Sequence, residues 1–297
     1  MRPSRIWRAG ALALVLALAS GVLAAGPATA RTDSRDKVTV FLHGYDGSNC
    51  TSDWRELMLD MRAAGFVGPF YVVRYLSNDS TCDLSGIPNA YNASLFEFGT
   101  HSGVYGHQGT SHDNNTDIRH LAWHLSHWVR DFIPNDPPVD VVAHSMGGLI
   151  VRISLAKEGA GPWPVLTIED VVTLGTPHGG VRFSALIGTV QGGQMQPGSF
   201  LMNWLADHAQ NPQGAGGTEW SVFGSAGDLL VGQGTATQMA AARRVRFGLL
   251  PYPIGHGGYM HVGGYRTSSV WNGSRYVSSY TYAPMPMTRA ALQYGGW

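Results

Sequence analysis

The 297-residue sequence has only two cysteines, Cys50 and Cys82, without the CxxC spacing or further thiols of a redox or zinc–thiolate site. Charge is also scarce, because charged residues make up 13% of the chain and 20 basic side chains balance 20 acidic ones. With no net positive field to attract phosphates, we predict no nucleic-acid partner and at most transient contact with lipid interfaces. We expect a monomer.

The N-terminal apolar run, residues 11–25, carries no charge and is shorter than the ~20 residues that span a bilayer. Three arginines, Arg2, Arg5 and Arg8, precede this run, and the small residues at 28–30 suit cleavage by a signal peptidase. This pattern predicts a signal peptide over residues 1–30 and a secreted, extracellular protein, with a membrane anchor as the alternative. No twin-arginine pair is present, which favours the general secretory route.

Secretion would place the two cysteines in an oxidising compartment, where a lone pair is more often joined than free. Closing the loop between them would stabilise the fold by roughly 3–4 kcal/mol through restriction of the unfolded chain. We therefore predict a Cys50–Cys82 disulfide.

Beyond residue 36, apolar strands alternate with amphipathic helices, which is typical of a mostly parallel sheet with helices on both faces. We predict one α/β catalytic domain over residues 37–297. Its strands are expected at 37–42, 70–75, 139–143, 168–174, 219–224 and 243–250. Two segments interrupt the alternation: residues 77–116, predicted as a surface excursion without regular structure, and 182–217, predicted as a cap-like insertion of short helices.

A buried-type strand leads directly into a helix through Ala143-His144-Ser145-Met146-Gly147. A serine hydroxyl becomes a nucleophile when a tight strand-to-helix turn exposes it, and such a turn needs small residues two before and two after the serine. The pattern predicts Ser145 as the nucleophile, with Ala where the usual motif has Gly. The backbone N–H groups of Met146 and Tyr45 are predicted to form the oxyanion hole.

In this type of site the acid and the base follow the serine in the order acid, then histidine. Asp228 is the only acid between the strand at 219–224 and the last predicted strand. Beyond it lie two candidate bases, His256 and His261, and we favour His256 because glycines flank it. His178 precedes Asp228 in the chain and is interpreted as a loop-shaping residue.

A second group of histidines lies between residues 101 and 127. His120 and His124 are one helical turn apart, with Asp113 and Asp117 nearby, which is a spacing that metal ligands use. No HExxH motif accompanies them, and histidines on a polar helix face are usually solvated. We therefore predict no metal and no cofactor.

Four motifs in order carry a family resemblance, and they cover the chain from about residue 38 to 261: His43-Gly44, Ala143 to Leu149, Leu174 to Gly180, and Ser225 to Asp228. Together they resemble secreted bacterial triacylglycerol lipases and esterases of the α/β-hydrolase superfamily. The resemblance implies Ser145, Asp228 and His256 as the catalytic triad and an ester or lipid substrate. The excursion at 77–116 and the insertion at 182–217 depart from the smallest such lipases.

Other functions remain open at this stage. The same triad would serve an acyltransferase, a thioesterase or a polyester depolymerase, and a non-catalytic binding module could retain the fold. Within the insertion, Leu201 and Trp204 belong to the apolar stripe of a short helix. This stripe is predicted to line the acyl pocket as part of a lid, with packing on the core as the alternative.

Overall fold

Parallel strands form the centre of the computed structural model, which describes residues 34–45, 50–95, 111–133, 138–157, 160–182, 184–207 and 217–293. Within these ranges nine strands form one sheet in the order β3-β2-β1-β4-β5-β6-β7-β8-β9. They are β1 (Val38–Leu42), β2 (Phe70–Arg74), β3 (Ala90–Ser94), β4 (Val139–His144), β5 (Ile168–Leu174), β6 (Glu219–Ser225), β7 (Arg243–Phe247), β8 (Tyr265–Trp271) and β9 (Tyr276–Tyr282).

The strand pairs from β3 through β7 are parallel, whereas β8 and β9 join antiparallel. This arrangement confirms the predicted α/β-hydrolase fold with its mostly parallel central sheet. Because the neighbouring strands are parallel, the carboxyl ends of β1, β4, β5, β6 and β7 meet at one edge of the sheet. Loops from several strands can therefore place side chains around one point.

Seven α-helices accompany the sheet in the described ranges: α1 (Cys50–Ala63), α2 (Ile118–Phe132), α3 (Met146–Lys157), α4 (Val190–Gln194), α5 (Phe200–Ala206), α6 (Gln233–Ala236) and α7 (Pro284–Gln293). Successive side chains of a strand point to opposite faces of a sheet. Accordingly, Val141 and Ala143 pack in one buried cluster with residues of α2 and α3, while Val142 packs in a second cluster with residues of α1 and α7. The prediction of helices on both faces is confirmed.

Three strands were not predicted. Residues 77–116 contain β3, which pairs with β2, so the expectation of no regular structure there is wrong. The predicted last strand, at 243–250, is followed by the hairpin of β8 and β9. β3 lies at one end of the strand order, and the hairpin of β8 and β9 lies at the other. An outermost strand has a neighbour on one side only, so polar side chains are tolerated there.

The insertion at 182–217 contains short helices, as predicted. In its described part, α4 and α5 follow a 3-10 helix at Ser184–Ile187. The side chains of Thr189 and Ser199 cap α4 and α5 by accepting backbone N–H bonds, which explains where each helix begins.

Two further predictions fall on residues outside the described ranges. Residues 1–30, the predicted signal peptide, are outside them. Cys82 is buried, but the side chain of Cys50 is not described, so the Cys50–Cys82 disulfide stays a prediction. None of the helices in the described ranges combines the length and apolarity needed to cross a membrane.

Candidate active site

Ser145 occupies the turn between β4 and α3 with a φ of 53°, in the left-handed region that non-glycine residues rarely adopt. The turn is close to its neighbours, because a Cβ on Gly147 would lie 2.3 Å from the His43 carbonyl oxygen. Glycine is therefore required two residues after the serine. Two residues before it, the Ala143 methyl group packs in the core, which shows how alanine replaces the usual glycine.

The structure brings together the three residues predicted as a triad. The Nε2 atom of His256 lies 2.9 Å from the Ser145 hydroxyl oxygen, and its Nδ1 atom lies 2.8 Å from an oxygen of Asp228. With Nδ1–H donating to the carboxylate, the Nε2 lone pair is free to accept the serine proton. Asp228 follows β6 and His256 follows β7, so three parallel strands supply the three groups.

The carboxylate of Asp228 is buried and held by several donors. One oxygen accepts the backbone N–H groups of Leu230 and Val231, at 3.1 and 2.8 Å. The other accepts the Tyr259 hydroxyl at 3.1 Å as well as His256. Burial, followed by the nearby Asp228 charge, raises the pKa of Tyr259, which keeps this phenol protonated as a donor. Tyr259 belongs to no sequence motif and was not predicted as a site residue.

His144, the residue before the nucleophile, contacts the backbone of His256. Its Nε2–H donates to the backbone oxygen of His256 at 2.7 Å. Burial, followed by repulsion from His256, lowers the pKa of His144 to about 3, so the ring is neutral at physiological pH. His144 thus fixes the backbone position of His256 without adding a positive charge beside it.

The loop after β1 passes directly beside the nucleophile. A Cβ on Gly44 would lie 2.7 Å from the Ser145 Cβ, so only glycine allows this approach. The Tyr75 hydroxyl is 2.6 Å from the His43 carbonyl oxygen and 2.7 Å from that of Gly44. Tyr75 therefore anchors the two carbonyl groups that precede Tyr45.

The two predicted oxyanion donors lie on the elements expected for them. Met146 is the first residue of α3, where a backbone N–H has no partner within the helix. Tyr45 follows Gly44 in the loop beside Ser145, and its hydroxyl oxygen lies 2.9 Å from that of Thr189, which caps α4 in the insertion. This contact ties the insertion to the loop beside the nucleophile.

The other candidate histidines lie elsewhere. His261 pairs with Glu56, at 3.2 Å, and not with Ser145. His178 is buried with its Nε2 atom 3.0 Å from the Thr173 hydroxyl, and burial lowers its pKa well below the usual value. Its contacts agree with the loop-shaping interpretation.

The residues predicted to line the acyl pocket pack on the core. Leu201 is 2% exposed within the cluster that contains α2 and α3, and Trp204 packs against the same cluster. The ammonium group of Lys157 lies 4.8 Å from the centre of the Trp204 ring. Since Lys157 ends the helix that Met146 begins, Trp204 is on the order of 15 Å from the elbow. These contacts correct the pocket assignment of Leu201 and Trp204 in favour of the core alternative.

Replacing Trp204 with alanine is accordingly expected to lower the free energy of unfolding by about 1–3 kcal/mol. The ratio of KM values for long-chain and acetate esters should stay the same, because the ring packs on the core and not beside Ser145. Denaturant unfolding and steady-state kinetics test the two statements. Phe200→Ala, on the same helix but 73% exposed, is the matched control and should change neither quantity. A rise in KM for long-chain esters alone would restore the pocket role.

The expectation of solvated histidines on α2 is wrong. His120 and His124 are buried and, with His112, form a group whose possible ligand atoms lie within 4.8 Å of one another. Asp117 does not join them, because it caps α2 and pairs with Arg119. The helical periodicity of residues 118–132 predicted the helix correctly. It did not predict that the histidine side of the helix is buried, because that burial depends on the loop that carries His112.

Among curated proteins, none matches this chain. Similar solved structures include phospholipase PlaB from Legionella pneumophila, at 17% identity and a TM-score of 0.41, covering 63% of this chain and 38% of that one. Another is the mature lipase BlEst2 from Bacillus licheniformis, at 19% identity and a TM-score of 0.40, covering 70% and 73%. A third is a lipase-esterase related protein from Clostridium acetobutylicum ATCC 824, at 13% identity and a TM-score of 0.32, covering 68% and 81%.

One protein family matches the chain directly. Its description reads "Putative serine esterase (DUF676)", and the match covers residues 32–205, more than half of the sequence. The matched span includes Ser145 and the loop at residues 43–45, and it ends before Asp228 and His256. The chain thus belongs to the DUF676 family.

Proposed function

We propose that this chain hydrolyses carboxylic esters of lipid-like substrates through an acyl-enzyme on Ser145. The observation that carries the proposal is the continuous contact from the Ser145 hydroxyl through His256 to the buried Asp228, at 2.9 and 2.8 Å. A serine in this position, on a strained turn and in contact with the imidazole of His256, is activated for attack on a carbonyl carbon.

In the first half of the reaction, Ser145 Oγ attacks the ester carbonyl while His256 Nε2 takes the hydroxyl proton. The negative charge that develops on the carbonyl oxygen is stabilised by the backbone N–H groups of Met146 and Tyr45. Protonated His256 then gives the proton to the departing alcohol, which leaves the acyl group on Ser145. Water repeats the sequence and releases the carboxylic acid, and Asp228 stabilises the imidazolium in both halves.

Exposed apolar side chains beside the triad support a lipid-like substrate. Leu229 and Leu230 directly follow Asp228, and they are 96% and 58% exposed. Leu249, Leu250 and Tyr252 lie on the segment that leads from β7 to His256, and they are also exposed. The two segments meet, because a Cβ on Gly227 would lie 2.7 Å from the Pro253 Cβ. A cluster of exposed large apolar residues is typical of a surface that contacts lipid or protein.

Replacing Leu229 or Leu250 with serine is expected to lower activity on an emulsified triglyceride about tenfold, since burying one leucine contributes roughly 1.5–3 kcal/mol. Activity on soluble p-nitrophenyl acetate should change little, because neither side chain contacts the triad. Val165→Ser is the matched control. Val165 is 68% exposed and precedes β5, so it lies near the amino-terminal ends of the strands, whereas the triad lies at their carboxyl ends. If the leucine variants and the control lose emulsion activity equally, the surface has no role in lipid contact.

A profile of p-nitrophenyl esters of increasing chain length, run beside an emulsified triglyceride, tests the substrate class itself. Preference for long chains supports a lipase, and preference for acetate or butyrate supports a carboxylesterase. Adding an alcohol acceptor to the same assay separates hydrolysis from acyl transfer, because transfer yields a new ester instead of free acid.

Secretion is part of the proposal and has its own test. Intact-mass spectrometry of material from the culture medium is expected to give a chain that begins near Arg31, after removal of residues 1–30. No thiol should be alkylated without prior reduction, because the only two cysteines, Cys50 and Cys82, are proposed to form a disulfide. An uncleaved N-terminus, or two cysteines that are alkylated directly, would contradict the proposed route.

A further inference from the structure

Three buried histidines converge on one point away from the triad. His112 lies in the loop before α2, while His120 and His124 lie one turn apart on α2. Their exposed fractions are 1%, 1% and 3%. The Nε2 atoms of His112 and His120 are 3.2 Å apart, and those of His120 and His124 are 3.0 Å apart. Three imidazole nitrogens therefore face one another inside the protein.

Hydrogen bonding among the rings does not account for this arrangement. The Nδ1 atom of His112 lies 3.1 Å from the Tyr75 carbonyl oxygen, which only accepts, so the proton of neutral His112 is on Nδ1. Its Nε2 atom thus presents a lone pair to His120. If His120 Nε2 carries a proton, that proton must serve two acceptors at once or face a second N–H on His124; if it does not, its lone pair faces that of His112. A cation at the centre would accept all three lone pairs.

Two of the three ligand separations suit a tetrahedral metal ion, and all three ligand atoms lie within 4.8 Å of one another. Zinc binds imidazole nitrogen at about 2.0–2.1 Å, so two ligand atoms on one tetrahedral ion are separated by about 3.3 Å. The two Nε2 separations, 3.2 and 3.0 Å, are within a few tenths of an ångström of that value. The hydrogen bond from His112 Nδ1 to a carbonyl is also the outer contact that ligating histidines usually make, since it holds the ring and its tautomer.

We propose that His112, His120 and His124 bind one Zn²⁺ ion through their Nε2 atoms. Neutral imidazoles favour zinc and similar transition metals over calcium and magnesium, which prefer carboxylate and carbonyl oxygens. Three protein ligands leave a fourth position for water or another donor.

A cleft reaches the proposed site from the surface. It has a volume of about 250 Å³ and is lined by Ser77, Asn78, His112, Asp113, Asn114 and Asn115. This volume is several times that of a water molecule, so it gives an ion a route to His112.

The site connects the chain before α2 to the sheet next to the active site. His112 contacts the Tyr75 backbone, and the Tyr75 hydroxyl anchors the carbonyl groups of His43 and Gly44 beside Ser145. None of the three histidines belongs to the triad. Bound zinc stabilises the folded chain by mass action and, through Tyr75, holds the loop that carries one oxyanion donor.

The test uses the full mature chain without a histidine tag, stripped with a chelator and titrated with Co²⁺. Tetrahedral Co²⁺ has visible absorption bands, so the wild-type protein should develop them up to about one equivalent and lose them when Zn²⁺ is added. His120→Ala and His124→Ala should bind Co²⁺ more than about a hundredfold more weakly, since loss of an outer contact alone costs about 10–100-fold.

His127→Ala is the matched control. His127 is on the same helix and its ring lies 3.9 Å from that of Trp123, outside the cluster. This variant should bind Co²⁺ like the wild type. The wild-type titration requires no substitution, so poor folding of a variant does not obscure the result. Failure of the wild-type protein to bind one equivalent overturns the proposal, as does equal loss of binding in His127→Ala and His120→Ala.

Discussion

Replacing Ser145 with alanine is expected to lower kcat for p-nitrophenyl ester hydrolysis by about a millionfold, the loss that other serine triads show when the nucleophile is removed. Without the hydroxyl no acyl-enzyme forms, and His256 has no proton to take. The fold should persist, because the new side chain is smaller and the turn keeps Gly147. Circular dichroism and thermal unfolding should match the wild type.

Ser154→Ala is the control for removing a buried hydroxyl from the same region. Ser154 lies on α3, and its hydroxyl oxygen is 2.9 Å from the Ala122 carbonyl oxygen and 3.0 Å from that of Ile150, away from the triad. This variant should keep its activity. A fluorophosphonate should also label the wild-type chain on the peptide that contains Ser145 and leave Ser145→Ala unlabelled. Retention of even a tenth of the wild-type kcat in Ser145→Ala would exclude Ser145 as the nucleophile.

The candidate site could be predicted because each part of it has a local signal. The elbow around Ser145 combines a strand, small residues and a helix within a short segment. The order of strands then restricts the acid to Asp228 and the base to His256 or His261, and the glycines that flank His256 favoured it over His261. Tyr259, Tyr75 and His144 carry no such signal, because their roles depend on contacts between distant segments.

The sheet was predicted less completely at its ends than at its centre. β4 is apolar and buried, so its composition identifies it. β3, by contrast, reads Ala-Tyr-Asn-Ala-Ser and is partly exposed, because it lies at the edge of the sheet. The hairpin of β8 and β9 did carry a signal: Asn272-Gly273 between two runs rich in Tyr, Ser, Thr and Val is typical of a tight turn between antiparallel strands.

The histidine group shows a different limit. His120 and His124 share a helix face and could be paired from spacing alone. His112 lies in irregular chain before the helix, and its position depends on the contact with Tyr75 at the end of β2. Helical periodicity carries no information on contacts between distant segments. For the same reason it could not show whether Leu201 and Trp204 pack on the core or line the acyl pocket.

Replacing Asp228 with asparagine is expected to lower kcat/KM by about 10⁴-fold, the effect of the same substitution in another serine triad. The asparagine oxygen can still accept the backbone N–H groups of Leu230 and Val231, so the loop should keep its shape. Its amide group then faces His256 Nδ1 as a donor, which favours the tautomer with the proton on Nε2, opposite Ser145. That tautomer cannot accept the serine proton, and no carboxylate remains to stabilise the imidazolium.

Tyr259→Phe removes one donor to Asp228 but keeps the carboxylate, and it should lower kcat/KM less than about tenfold. If Asp228→Asn folds and stays within tenfold of the wild type, another group must orient His256.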